Sequence, residues 1–211
     1  MNVNLIWITP NAEQMISDIA RVSNPANQGL PPGKLLGYCV KNNHWSPFEM
    51  ANAVIEINTT RTIARQILRH RSFSFQEFSQ RYAIVDALPP MTLTEVRLQD
   101  VKNRQNSIET EDKELSDWWK QKQTEVAEFT GTIYKEALEK GIAKEVSRDV
   151  LPEGMTPSRM YMNGTIRSWM HYVNLRTGNG TQKEHKVIAE QISELLKEQL
   201  PLSWEYLKEY N

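Results

Sequence analysis

Residues 51–71, ANAVIEINTTRTIARQILRHR, change hydrophobic period part-way along, and that change decides the fold class. Over Ala51 to Asn58 the apolar Ala53, Ile55 and Ile57 alternate with Asn52, Glu56 and Asn58, the period of two that a half-buried strand requires. From Arg61 to about Arg71 the apolar set becomes Ile63, Ala64, Ile67 and Leu68, one face of a helix, and Arg61, Arg65 and Arg69 recur beside it at every fourth residue. A strand that feeds an arginine-flanked helix predicts an α+β chain.

Toward the N-terminus, residues 3–9 read as a strand closed by Pro10. Asn11 is placed to cap a helix carrying Met15, Ile16, Ile19 and Ala20. Pro25, Gly29, Pro31, Pro32 and Gly33 mark a loop before a helix with Leu35, Leu36, Cys39 and Val40 on one face, and a turn at Pro47 leads into the strand. Toward the C-terminus, Ser72 to Tyr82 shows no clean period, Thr94 to Gln99 reads as a short strand, and 101–112 as a polar, mobile loop. A long amphipathic helix from about Lys113 to Lys140 sets Leu115, Trp119, Val126, Phe129 and Ile133 near one stripe and ends at Gly141. A short helix, Ala143 to Leu151, stops at Pro152; a strand-like Met160 to Met162 leads to Gly164, and helix returns from Thr165 to Arg176. The last helix groups Ile188, Ile192, Leu195 and Leu196, with Pro201 closing it. The sum is a mostly helical α+β single domain over residues 1–211 with a small antiparallel sheet. There is no repeat and no strand–helix alternation of the doubly wound kind.

Of the 211 residues, 39% are hydrophobic and 24% charged, which suits a globular chain with a sizeable core. No apolar run approaches the roughly 20 residues that span a bilayer. Residues 1–10 lack the basic region and cleavage site of a signal peptide, so the expected location is the cytoplasm. With 25 basic against 26 acidic residues there is no general attraction to nucleic acid or anionic lipid, and any basic feature that matters is local. One cysteine, Cys39, excludes an internal disulfide and a paired-cysteine zinc site, and its apolar neighbours mark it as core rather than as a nucleophile.

The densest signal is Arg69-His70-Arg71 followed by Ser74, Glu77, Ser79 and Arg81. Guanidiniums and hydroxyls in that density suit a phosphate or polyphosphate, which arginine binds bidentately at any relevant pH; a solvated basic face paired with carboxylates has equal weight. Arg148 and Arg176 stand beside apolar residues, and each is either a buried ion pair or a group pointing into a site. His44 lies in the turn HWSPFE, residues 44–49. His44, His70, His171 and His185 show none of the glutamate-linked i, i+4 pairing of a zinc-protease helix, so no metal is expected. No nucleophile elbow, Rossmann turn or Walker loop occurs.

RHRSFSFQEFSQRY, residues 69–82, resembles the signature of flavin-dependent thymidylate synthases. Ala20 to Ser23, His44 to Glu49, Ala64 to Gln66, Arg148 to Pro152, Thr165 to Ser168 and Asn174 to Arg176 are similar to that family's landmarks, in the same order. Phe75 and Gln76 depart from its pattern, and the 177–184 loop lacks the histidine often found there. The resemblance implies conversion of dUMP to dTMP with 5,10-methylenetetrahydrofolate as carbon donor, FAD as carrier and NADPH as reductant, in a homotetramer whose sites lie at subunit interfaces. It implies dUMP contacts from Gln66, Ile67, Leu68, Arg69, Glu77, Phe78, Ser79, Gln80, Arg81, Arg148 and Arg176, with Arg176 activating the uracil ring. It implies FAD contacts from Ser23, His44, Ser46, Arg69, His70, Arg71, Glu77, Thr165, Ile166, Arg167 and His171. No protein thiolate is required, and Ser79 binds rather than attacks. The alternative, a nucleotide- or RNA-binding module, would use the Arg69–Arg81 segment with Phe73, Phe75 and Phe78 as stacking surfaces; the near-neutral charge argues against it.

Overall fold

The computed structural model describes residues 1–207. In chain order the elements are β1 (Asn2–Ile8), α1 (Ala12–Ala20), α2 (Gly33–Lys41), β2 (Asn52–Thr60), α3 (Arg61–Ile67), β3 (Phe73–Glu77), β4 (Arg97–Gln99), β5 (Ser107–Glu109), α4 (Lys113–Glu139), α5 (Lys144–Ser147), β6 (Pro157–Thr165), α6 (Ile166–Arg176), α7 (Lys183–Gln199) and α8 (Pro201–Leu207). Helix accounts for 50% and the class is α+β, as the change of period in 51–71 predicts.

Four strands form one sheet in the order β1-β2-β6-β3. The antiparallel sense follows from the cross-strand partners. Asn4 meets Glu56 while Thr9 meets Asn52; Arg159 meets Asn58 while Tyr161 meets Glu56; the Phe78 N–H reaches Arg159 while Phe73 faces Gly164. In each pair one number falls as the other rises. On β2, Ala53, Ile55 and Ile57 are fully buried and the alternate residues are half exposed, which is the predicted pattern. On β6 the inward set is Ser158, Met160, Met162 and Gly164. Gly164 permits a close approach: a Cβ there would stand 2.3 Å from the Phe73 ring.

The chain divides into two compact units, one holding Asn58–Arg69 and Gln76–Met160, the other holding Asn2–Ile57, His70–Phe75 and the residues from Tyr161 onward. In the first, Gln123 of α4 clamps Thr94 by accepting from its N–H and donating to its C=O, both at 2.8 Å, and the buried Tyr134 hydroxyl accepts from the Val85 N–H at 3.1 Å. In the second, α2 packs on α8 and α6 on α7, around Ile16, Leu36, Phe48, Trp169, Ile188 and Trp204, and the Trp169 indole donates to Ala53 C=O at 3.1 Å.

Several expectations are corrected. The helix from Arg61 ends at Ile67, and the Phe73 N–H returning to His70 C=O turns the chain into β3, inside the stretch that showed no period. That strand escaped notice because Phe73, Phe75 and Glu77 are only half-buried. The polar 101–112 loop holds β5, paired with β4 as Arg97↔Glu109 and Gln99↔Ser107, and the Asp100 carboxylate tightens the turn by accepting from Lys102 and Asn103 N–H. The strand at Met160–Met162 is three times that length, the helix from Ala143 splits into α5 and a 3-10 turn, and Pro201 starts α8 as well as following α7. Asn11 stands at the N-cap position of α1 and its C=O accepts from Met15 N–H, but its side chain makes no capping bond and its φ is a left-handed 51°. Of the α4 stripe, Leu115 and Ile133 are half-buried while Trp119, Val126 and Phe129 are exposed, Phe129 at 68%.

Cys39 is buried beside Leu36 and Val40, and burial pushes its thiol pKa up, so no thiolate is available there. Cys39→Ala is expected to leave turnover within about twofold of the parent while lowering the unfolding free energy by about 1 kcal/mol, a small cavity term; steady-state kinetics and chemical denaturation check both.

Candidate functional site

In the first unit the sheet passes directly into α3, so Arg61 is held at a strand–helix junction by its N–H bond to Thr156 C=O at 3.0 Å. One turn on, Arg65 is exposed and paired with Glu153. At the end of β3, Glu77 accepts a 2.6 Å hydrogen bond from the Ser158 hydroxyl, and Arg61 Nη1 stands 3.9 Å from the same oxygen. Just beyond, Gln80 is 3% exposed and its Nε2 has no partner among the described residues. Arg61, Arg65, Gln80, Arg148, Asp149 and Glu153 line a pocket of about 230 Å³. Arg81 lies outside it on the surface, paired with Glu145 at 2.9 Å. Arg69 and Ser79 are exposed, Gln66, Leu68 and Phe78 are half-buried, and Ile67 is fully buried, which leaves only its backbone for a ligand.

In the second unit α6 organises the site. The Thr165 hydroxyl accepts from the Ser168 N–H at 3.2 Å and starts the helix, and buried Ile166 ties its own N–H to Ala51 C=O at 2.9 Å. Arg167 is paired with Glu49 of the HWSPFE turn, yet its Nε is buried without a partner, as is the Oδ1 of Asn174 two turns later. His171 lies 4.7 Å, ring to ring, from Trp45; burial first and the Arg167 charge second lower its pKa. At the end of the helix Arg176 Nε donates to His70 Nε2 at 2.9 Å, so that nitrogen is unprotonated.

Behind His70 is a polar pair in apolar surroundings. The His70 ring meets Tyr172 edge-on at 4.9 Å, and the Tyr172 hydroxyl shares a 2.9 Å hydrogen bond with His185 Nε2. Burial first, then the charge of Arg176, pulls the fully buried His185 imidazole down from 6.5 to about 3. Burial likewise pushes the Tyr172 phenol above its ordinary value. Both are neutral at neutral pH. Tyr172 and His185 lie on separate helices with no local motif linking them; the sequence marks Arg61 only as part of an arginine flank and His185 only as one of four histidines, and it gives no site role to Tyr172 or Ser158.

The expected residues thus fall into two groups: Gln80 and Arg148 share the first unit's pocket, and His70 joins Arg176 in the second. Arg71, Ser23, His44 and Ser46 are exposed, and His44 makes its ring contact with Tyr38 at 5.5 Å. Phe73 packs against Trp169 at 4.7 Å and against Tyr172, and Phe75 and Phe78 are half-buried, so none of the three rings is fully exposed as a stacking surface.

Residues 4–202 match the family model described as thymidylate synthase complementing protein. The chain belongs to this family. A probable flavin-dependent thymidylate synthase of Paramecium bursaria Chlorella virus 1 is 49% identical over 210 residues, covering 95% of this chain and 96% of the relative. The flavin-dependent thymidylate synthase of Synechocystis is 50% identical over 177 residues, 84% of this chain and 80% of the relative. Among solved structures, the UMP/dUMP methylase PolB of Streptomyces cacaoi, bound with 5-Br dUMP, superposes with a TM-score of 0.82 at 27% identity, covering 98% of this chain and 94% of that one. In this family member, no helix among the described residues is long and apolar enough to cross a membrane.

The buried His185 makes stability pH-dependent. Its folded pKa lies below the unfolded value, so between about 6.5 and 3 the unfolded chain binds a proton that the folded chain does not. The contribution is complete above 6.5 and is lost as pH falls toward 3. His185→Gln removes the titration, and the unfolding free energy against pH is expected to flatten by up to about 1.4 kcal/mol per pH unit across that window; urea denaturation at stepped pH measures it.

Proposed function

We propose that the two groups of residues serve one reaction, the first unit holding the nucleotide phosphate and the second holding the flavin and activating the uracil ring. The chain is a flavin-dependent thymidylate synthase and methylates dUMP to dTMP. Residues 1–211 are read as one functional domain, since β2, β3 and β6 each run from one compact unit into the other.

The observation that carries the assignment is α6, which sets Arg167, His171, Asn174 and Arg176 along one helix with a buried donor and a buried acceptor left unpartnered. A group with both acceptor and donor edges and an anionic diphosphate matches that set, and FAD is such a group. Arg167 and Arg71 would grip its diphosphate, while His70, His171 and Thr165 would border the ring, with Glu77, Arg69, Ser46, His44, Ser23 and Ile166 as further contacts. When bound, the flavin supplies methylene carriage and hydride, with 5,10-methylenetetrahydrofolate as carbon source and NADPH as reductant.

The protein's own contribution is positioning and field. Gln80 and Arg148 bind the dUMP phosphate in the first unit's pocket, Ser79 and Arg81, exposed in the single chain, join it where subunits meet, and Gln66 to Arg69 with Phe78 border the nucleoside. Carbon 5 of uracil is a poor nucleophile until negative charge builds on the ring. A guanidinium beside nitrogen 3 and its carbonyl stabilises that charge as it develops. Arg176 fits the role: its Nε is fixed by His70, and among the described residues its Nη groups make no hydrogen bond.

The uncovered α4 face, with Trp118, Val126 and Phe129 exposed, supports a homotetramer in which copies of the chain cover one another. Phe129→Glu is expected to shift the species from four chains to fewer, read by light scattering behind gel filtration. Arg176→Ala is expected to retain flavin absorbance and to lose at least about 10²-fold in turnover. Bleaching of the bound flavin by NADPH, fastest with dUMP present, tests the reading as a whole; a colourless protein indifferent to dUMP refutes it.

A further inference from the structure

We propose that Arg61 is a phosphate-binding residue of the nucleotide site, a contact outside the dUMP-binding set assigned above. The inference rests on the thymidylate synthase reading and deepens it.

Arg61 shares the 230 Å³ pocket with Arg148 and Gln80, two residues already given to the dUMP phosphate. Its backbone is anchored by the N–H bond to Thr156 C=O, and its side chain is only 19% exposed. A guanidinium so placed has lost much of its water, yet it makes no side-chain hydrogen bond among the described residues. The neighbouring carboxylate, Glu77, lies at 3.9 Å, beyond hydrogen-bond reach, and the oxygen facing Arg61 already takes the Ser158 hydroxyl proton.

With Glu77 counted the formal charges around the pocket balance, yet Arg61 and Arg148 keep donors for an anion. Arg61, Arg65 and Arg148 face Asp149 and Glu153, and Glu153 is taken by Arg65. Gln80 adds a buried Nε2 without an acceptor, a state whose cost an incoming oxygen removes. Two guanidiniums and an amide, all lacking full partners, match a phosphate monoester, which presents three acceptor oxygens and up to two charges. A neutral nucleoside offers this wall nothing to bind.

The test separates the phosphate from the rest of the nucleotide. Flavin-loaded protein is titrated with dUMP and with 2′-deoxyuridine, following the flavin absorbance. Arg61→Gln is expected to weaken dUMP about tenfold or more while changing 2′-deoxyuridine by less than about twofold. Inorganic phosphate is expected to displace dUMP from the parent and to compete about tenfold less well in the variant. Equal losses for both ligands make Arg61 merely structural and overturn the proposal, as does an unchanged affinity for dUMP. If Arg61→Gln fails to fold, Arg61→Lys keeps the charge beside Glu77 and is expected to show the same dUMP-only loss at about threefold. A flavin-loaded parent that ignores dUMP refutes the synthase reading itself, and this inference falls with it.

Discussion

A guanidinium that donates to an imidazole nitrogen requires that nitrogen to stay unprotonated, and the second unit is arranged around this requirement at the Arg176–His70 bond. Protonating His70 Nε2 would remove the acceptor and set two cations 2.9 Å apart. His70 sits against the Tyr172 ring, and Tyr172 is joined to a histidine so deeply buried that its own pKa falls to about 3. The neighbouring His185 and Tyr172 add no charge of their own, and the bond to His70 fixes the orientation of Arg176. A uracil ring that gathers negative charge needs such a fixed positive group.

The first unit handles charge differently. There, guanidiniums are numerous and most are balanced: Arg65 by Glu153, Arg81 by Glu145 on the surface, and Arg61 loosely by Glu77. Exposed pairs of this kind contribute little to stability. Their value lies in what they leave over, since the pocket beside Gln80 retains donors that no described residue satisfies. A buried donor without an acceptor carries a folding cost that a bound anion offsets, which couples ligand binding to stability.

Much of the architecture was legible because the relevant signals are local. The alternation of Ala53, Ile55 and Ile57 places them inward whatever the rest of the chain does, and Gly141 ends α4 with a φ of 80° that few other residues adopt. The weak points were elements whose burial is partial. β3 and β5 are edge segments with half-buried or exposed side chains, so no strong period marks them. The stripe on α4 was read correctly as apolar, yet apolarity states only that a surface seeks cover, and in the single chain Phe129 has none.

For the site, the sequence by itself determined the residue types and their order: a basic, hydroxyl-rich segment at 69–82, arginines at 148 and 176 next to apolar residues, and one cysteine enclosed among leucines and valine. Composition and short-range spacing carry that information, because charge and hydrophobicity belong to each side chain alone. Only the tertiary structure decided that Arg176 finds His70, that Tyr172 finds His185 thirteen residues away across two helices, and that Arg61 shares a pocket with Gln80 and Arg148. Those meetings depend on how helices and strands pack over long separations in sequence, where no local preference operates and only the burial of the whole chain selects which side chains come together.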